Sequence, residues 1–171
     1  MQTTELASFM AKLREETRIA APEQCLEPMH GTVRQTKGFL SVARFGEVET
    51  VIDEPVVFGG TGTAPNPAEV ALAGLGASIE VTLLCYAAHL GIDARDIEVK
   101  LSGALDARGF FGLSPDVPVG FYDVEADVTY TGTASEEQVA SLLDHVNRCC
   151  PVLAVFRQPM EVKLTIRQMQ G

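Results

Sequence analysis

The sequence predicts an α+β fold, and three features of its hydrophobic pattern carry that prediction. The first is a long segment, Pro67 to Leu90, that is apolar on nearly all sides of a helix. The second is a run of short alternating segments between residues 31 and 52. The third is a set of alternating strands with an amphipathic helix after residue 96. Together they indicate a central helix covered by antiparallel strands and outer helices.

Length and charge limit what the protein can be. At 171 residues the chain is long enough to bury one core without disulfides, so we expect thiols at its 4 cysteines. The formal net charge of -10 at pH 7 argues against binding to nucleic acid or to an anionic membrane surface. The first residues lack the basic and apolar regions of a secretory signal. We therefore expect a cytoplasmic protein.

The N-terminal part contains an amphipathic helix and a strand meander. Residues 4–18 carry apolar side chains at helical spacing, with charged side chains between them. The predicted strands are 32–36, 40–45 and 48–52. Turns at Gly38 and Gly46 separate these strands. The glycine-rich loop after residue 58 matches no phosphate-binding pattern, so no cofactor is predicted.

The central segment resembles a membrane span in length, but Glu80 near its middle would cost about 2.5–3.5 kcal/mol in a bilayer. A buried helix of a soluble domain is therefore the better interpretation, and no membrane partner is expected. Asn66 is a good N-cap, Pro67 suits the first helical position, and Gly91 is a natural C′ residue. Ser78 lies beside Glu80 in the middle, where an unpaired polar side chain is costly, so we expect function there.

The C-terminal half alternates strands with shorter helices. The predicted strands are 97–102, 124–130 and 162–166. The segment 106–118 is rich in glycine and aromatic residues and is expected to be a loop that covers a site. Thr133 and Glu136 form a capping box that predicts the start of an amphipathic helix. Pro151 forces a break after that helix and can begin another.

Cys150 before Pro151 is the best local candidate for chemistry. With Pro151 as the first helical residue, Cys150 is the N-cap, where the helix dipole favours the nucleophilic thiolate. The alternative is a small buried thiol that packs as a hydrophobic residue. His145 and Cys149 have the spacing to share a metal, but no second ligand pair is present, so no metal site is predicted. A strained Cys149–Cys150 disulfide is discounted, and Cys85 is expected in the core.

The order of elements and three segments resemble the OsmC/Ohr family, the osmotically inducible protein C and organic hydroperoxide resistance proteins. The segments are Asn66-Pro67-Ala68-Glu69 at the start of the long helix, Leu105 to Leu113, and Cys150-Pro151-Val152. The resemblance covers about residues 31–167, so we expect an OsmC-like domain at 30–171 after an N-terminal amphipathic helix and linker at 1–29. It implies an OsmC-like fold in which a curved antiparallel sheet wraps the buried helix, in an intertwined homodimer with active sites at the dimer interface.

Proteins similar to this one reduce organic hydroperoxides as part of an oxidative stress response. In them a cysteine of the central helix attacks the peroxide and becomes a sulfenic acid, the cysteine of the Cys-Pro segment resolves it as a disulfide, and an arginine with a glutamate activates the first thiolate. The resemblance places the attacking cysteine at Ser78 and the resolving cysteine at Cys150. It places the glutamate at Ala68, with Glu69 beside it, and the arginine near Lys37. Serine cannot form a sulfenic acid and lysine does not replace arginine as a bidentate partner, so the usual cycle cannot run.

Three hypotheses follow. The first is an atypical or inactive peroxidase whose thiol chemistry rests on Cys150, with Cys85 as a substitute for the missing thiol. The second is a non-catalytic protein that binds a hydrophobic small molecule at the dimer interface, suggested by the apolar helix and by Phe110 and Phe111. The third and weakest is hydrolysis by Ser78, because residues i and i+2 of a helix point apart and no histidine is placed to act as its base.

Overall fold

The computed structural model describes residues 3–168. The helices are α1 (Thr3–Ile19), α2 (Pro67–Leu90), α3 (Ala107–Phe110), α4 (Glu136–Cys149) and α5 (Pro151–Arg157). The strands are β1 (Gly31–Lys37), β2 (Leu40–Phe45), β3 (Val48–Ile52), β4 (Ala94–Gly103) and β5 (Val124–Gly132). They form two antiparallel sheets, ordered β1-β2-β3 and β4-β5. Separate helices and antiparallel sheets confirm the predicted α+β class.

The first sheet is the predicted meander. Its three strands occupy the expected segments, and its two turns contain Gly38 and Gly46, which have φ values of 57° and 59°. Backbone in this left-handed region favours glycine, which explains both turns. Every residue of β1 is exposed. Within residues 3–168 its outer edge pairs with no other strand.

The second sheet packs against α2. Ile97, Val99 and Leu101 of β4 face the core, as the alternating pattern predicts. Gly76 of α2 lies close to this sheet, because a Cβ atom added there would lie 2.6 Å from Leu101 Cδ1. A side chain at position 76 would therefore require the Leu101 side chain to move.

The central helix α2 begins and ends at the predicted residues. The Asn66 side chain accepts a hydrogen bond from the Glu69 backbone N–H at 2.9 Å, and the Glu69 carboxylate accepts one from the Asn66 N–H at 2.8 Å. This reciprocal capping box satisfies two N–H groups that the helix itself leaves unpaired. At the other end Gly91 adopts φ 69° and its N–H bonds back to the last turn.

One face of α2 is open to solvent in the single chain. Ala73, Gly74, Ala77 and Val81 are exposed, although they belong to the most apolar segment of the sequence. In a single copy α1, β4, α4 and α5 contact the other faces of this helix and leave this one uncovered. By length and composition alone α2 would also suit a membrane span, and core helices share both properties.

The helix α4 starts two residues later than the sequence suggested. The N-cap is Ser135, whose hydroxyl accepts the Gln138 N–H at 3.3 Å while the Gln138 side chain accepts the Ser135 N–H at 2.9 Å. The predicted Thr133–Glu136 capping box is therefore wrong. Both pairs fit the same sequence pattern, and the packing of Ala134 against the core accompanies the later start.

In the C-terminal half, the break at Pro151 was predicted correctly, whereas the last predicted strand was not found. Pro151 breaks the chain after α4 and begins α5, as expected. The segment 106–118 is a loop with the short helix α3 inside it. The predicted strand 162–166 is absent from both sheets. Its apolar side chains are instead 75%, 83% and 88% exposed at Val162, Leu164 and Ile166.

Candidate thiol site

Two of the residues singled out in the sequence, Ser78 and Cys150, lie in contact in the partly buried interior. The Ser78 hydroxyl oxygen lies 3.2 Å from the sulfur of Cys150, although 72 residues separate them in the chain. Ser78 comes from the middle of α2, and Cys150 comes from the bend between α4 and α5. Pro151 cannot continue α4, so the chain bends at this residue. At the bend the Cys150 sulfur faces the central helix.

The Cys150 sulfur is enclosed by apolar residues. Cys150 is 3% exposed and belongs to the same core cluster as Leu75, Ile79 and Val146. Its backbone N–H bonds to the Val146 carbonyl at 3.1 Å, and its own carbonyl accepts the Ala154 N–H at 3.1 Å, which fixes the bend. The Ser78 hydroxyl is thus the polar partner of a thiol that is otherwise surrounded by hydrocarbon.

The family resemblance also pointed to Glu69 and Lys37, and in the described part of the chain neither of them contacts Ser78 or Cys150. Glu69 is exposed and its carboxylate is engaged in the capping box of α2. Lys37 is exposed at the end of β1. Within the described chain neither residue makes a hydrogen bond or ion pair to Ser78 or Cys150. The structure of one chain therefore brings together two of the four predicted site residues.

The remaining cysteines lie apart from this contact. All four cysteines are free. Cys85 is half-buried, and burial raises the pKa of its thiol. Cys149 is exposed. The residues that the structure describes contain no group of three potential metal ligands, so His145 and Cys149 remain an incomplete pair.

A buried carboxyl group that sequence reasoning missed organises the loop before α2. Asp53 is 1% exposed, and its Oδ2 accepts hydrogen bonds from the hydroxyl and N–H of Thr61, at 2.6 Å and 3.0 Å. The N–H of Thr63 adds a third at 3.2 Å. The Thr61 hydroxyl, followed by these backbone donors, lowers the pKa of Asp53 to about 2. The sequence feature that could have revealed this contact is an acidic residue shortly before Gly-Thr-Gly-Thr at residues 60–63, whose hydroxyl and N–H groups can donate hydrogen bonds.

The fold and the Ser78–Cys150 contact define a class: an α+β protein with a buried thiol where a central helix meets a C-terminal helix pair. The sequence model of the OsmC-like protein family matches residues 60–165. Because this match spans more than half of the chain, the protein belongs to the OsmC-like family. No curated protein matches the sequence.

Solved structures of OsmC-like and organic hydroperoxide resistance proteins share the fold. An OsmC-like protein from Mycoplasma pneumoniae has a TM-score of 0.68 at 17% identity, over 77% of this chain and 88% of that one. An organic hydroperoxide resistance protein from Legionella pneumophila gives 0.59 at 21% identity, over 78% and 91%. One from Elizabethkingia anophelis gives 0.60 at 20%, over 78% and 91%. The predicted family and its OsmC-like fold are thus confirmed.

Proposed function

We propose that this protein is an atypical OsmC-like thiol protein, related to organic hydroperoxide reductases but without their two-cysteine cycle. The observation that carries the proposal is the 3.2 Å contact between the Ser78 oxygen and the Cys150 sulfur. The resemblance assigns the attacking and resolving thiols to these two positions, and two such thiols must be neighbours to form a disulfide. In this protein only Cys150 of the pair carries a sulfur atom, so the pair cannot form a disulfide.

The chemistry of such a pair rests on Cys150. Its thiolate attacks one peroxide oxygen, the O–O bond breaks, the sulfur becomes a sulfenic acid, and the other oxygen takes a proton and leaves as an alcohol. Serine forms no disulfide, so the sulfenic acid cannot be resolved at position 78. An external thiol must condense with it and release water, and a second must reduce the mixed disulfide.

The surroundings of Cys150 favour an organic peroxide over a small polar one. Cys150 is 3% exposed and lies in the apolar core cluster. Val152, Leu153 and Phe156 of α5 pack against the same core cluster. A peroxide with a hydrocarbon group is stabilised by such contacts, whereas a polar molecule loses its hydration there.

Sulfenic acid trapping tests this function. One equivalent of cumene hydroperoxide is added in the presence of dimedone, and the modified peptides are identified by mass spectrometry. We expect a dimedone adduct at Cys150 and no intramolecular disulfide in the wild-type protein. A disulfide between Cys150 and Cys85 would contradict the proposal, because it would restore a two-cysteine cycle.

A gain-of-function variant sharpens the same test. Ser78→Cys places a second sulfur at the observed contact, so we expect a disulfide between positions 78 and 150 and turnover of cumene hydroperoxide with a dithiol. Ala77→Cys is the matched control, because Ala77 directly precedes Ser78 in α2 and is exposed. Its thiol lies on another face, and it is expected to give neither result.

A second candidate function is the binding of an apolar small molecule without catalysis. A groove of about 370 Å³ lies between α2 and β4. Apolar or small side chains form most of its wall: Ala73, Gly76, Ala77, Ile97, Val99 and Leu101. Phe110 and Phe111 are also 77% and 59% exposed in the loop after β4. A Cys150 that stays unmodified in the trapping experiment would favour this role over the first.

We further propose that the working form is a homodimer. Support comes from the open apolar face of α2, from the unpaired outer edge of β1, and from the exposed alternating segment 162–166. An edge strand and an exposed strand-like segment in one chain are complementary, because a second copy can pair them through backbone hydrogen bonds.

A further inference from the structure

The Ser78 hydroxyl is the polar group that contacts the Cys150 sulfur, and this contact can pass a proton in either direction. The oxygen and the sulfur are 3.2 Å apart, and either atom can be the donor. A serine hydroxyl has one O–H donor and two acceptor lone pairs, so it can take one proton while it gives another. Within residues 3–168 neither side chain has another hydrogen-bond partner. The pair therefore holds two protons that can move between the sulfur, the oxygen and a third group.

Hydrogen bonds of the backbone hold this geometry from both sides. The Cys150 N–H bonds to the Val146 carbonyl and the Cys150 carbonyl accepts the Ala154 N–H, both at 3.1 Å. On α2 the Thr82 hydroxyl donates to the Ser78 carbonyl at 2.7 Å. These bonds fix the chain around both residues, so the oxygen and the sulfur stay within reach of each other.

Peroxide chemistry at this sulfur needs a proton donor. When the sulfur attacks one peroxide oxygen, the other leaves as an alkoxide, and an unpaired charge is costly among apolar side chains. Cys150 is 3% exposed and lies in the core cluster, so water has little access to the sulfur. Glu69 and Lys37 are exposed and lie apart from the pair. Ser78 is half-buried, and its O–H is the donor in contact with the reacting sulfur.

We propose that Ser78 is a catalytic proton relay for Cys150, an inference that rests on the proposed peroxide chemistry. The thiol proton passes to the Ser78 oxygen as the sulfur bonds to one peroxide oxygen. The O–O bond breaks, and the proton that Ser78 carried at the start passes to the leaving oxygen. The products are the Cys150 sulfenic acid and an alcohol, and Ser78 is neutral before and after the step. A group that transfers a proton must lie within about 2.6–3.2 Å of its partner, and the 3.2 Å contact meets this condition.

The relay matters most when the leaving oxygen is a strong base. A hydroperoxide releases an alkoxide, which needs a proton as the O–O bond breaks. A peroxy acid releases a carboxylate, which is stable without a proton at neutral pH. The same attack by the sulfur therefore depends strongly on Ser78 with the first oxidant and weakly with the second. A hydroxyl that acted on the sulfur alone would change both rates by the same factor.

The chain offers a comparison hydroxyl on the same helix. Thr82 lies one turn after Ser78 and is 8% exposed. In the described chain the partner of its hydroxyl is the Ser78 carbonyl and not the Cys150 sulfur. Thr82→Val removes this hydroxyl with almost no change of shape, whereas Ser78→Ala removes the hydroxyl that contacts the sulfur. The two variants therefore differ in the feature that the proposal invokes.

The test compares the oxidation of Cys150 by cumene hydroperoxide, which releases an alkoxide, and by perbenzoic acid, which releases a carboxylate. The rate is the loss of free Cys150 thiol, followed by peptide mapping in a Cys149→Ser background so that the neighbouring thiol does not interfere. We expect Ser78→Ala to slow the reaction with cumene hydroperoxide about 100-fold, the lower end of what one positioned acid contributes, and that with perbenzoic acid far less. Thr82→Val should leave the ratio of the two rates unchanged.

The outcomes separate the relay from the proposed function. Equal slowing of both oxidants in Ser78→Ala would overturn the relay, since the hydroxyl would then act on the sulfur alone. Unchanged rates in Ser78→Ala would also overturn it and would leave the proposed function standing. A change of the ratio in Thr82→Val as large as that in Ser78→Ala would assign the effect to the shape of α2 instead. If neither oxidant modifies Cys150 in the wild-type protein, the proposed function fails, and the relay fails with it.

Discussion

The Asp53 carboxylate links the end of β3 to the loop before α2 through hydrogen bonds that it accepts. Because the charged form accepts these bonds, the link is sensitive to acid. Hydrogen bonds from Thr61 and Thr63 hold its pKa at about 2, against 3.8 for a free group. The unfolded chain therefore takes up the proton first as the pH falls. The contribution of Asp53 to the free energy of unfolding is complete above pH 3.8 and is lost as the pH falls toward 2.

We expect Asp53→Asn to remove that pH dependence and to lower stability at neutral pH. The measurement is urea denaturation of both proteins from about pH 2 to about pH 5, where the stability of the wild-type protein should rise more steeply with pH. Asp116→Asn, at an exposed position of the loop after α3, serves as the control. Parallel curves for wild-type protein and Asp53→Asn would show that the carboxylate is not the relevant acid.

Single residues could be singled out from local sequence, but their contacts could not, and the pairing of positions 78 and 150 was implied only by the family resemblance. Ser78 and Cys150 were chosen from a buried polar position and from a Cys-Pro bend, and they are 3.2 Å apart. Asp53 was missed because its partners depend on how a glycine-rich loop folds back, which no periodicity encodes. The packing around Tyr86 was missed for a similar reason, since its neighbours Arg14 and His145 come from two other helices.

At the scale of elements, the start of α2 depends on one reciprocal capping box. Asn66→Ala removes the acceptor for the Glu69 N–H, so we expect a loss of about 1 kcal/mol in the free energy of unfolding. Chemical denaturation checks this value. Asn66→Asp keeps an acceptor at the same place and should retain most of the stability. If both variants lose the same amount, the cap is not the source of the effect.

Element boundaries were predictable where one local signal dominates. Asn66, Pro67 and Gly91 bound α2 without a competing pattern, and the observed ends agree. The start of α4 was wrong because Ser135 offers the same cap as Thr133. The segment 162–166 has the alternation of a strand, yet strand pairing depends on a partner edge that local sequence does not contain.

At the scale of the whole molecule, the apolar side chains of segment 162–166 lack cover in one copy. Leu164 is 83% exposed in a segment where every second residue is apolar. Burial of such side chains stabilises an assembly by about 25 cal/mol for each Å² removed from water. A second copy supplies both the apolar α2 face and the outer edge of β1, so the cover is expected to come from self-association.

We therefore expect a particle of twice the 18.3 kDa chain mass in solution, measured by light scattering coupled to size-exclusion chromatography. Leu164→Asp places a charge in the proposed interface and should shift the mass toward one chain. Thr165→Asp is the matched control, because its side chain points to the opposite side of an extended segment and the dimer should persist. A monomeric wild-type protein would contradict the homodimer, and equal dissociation by both variants would show that charge alone separates the copies.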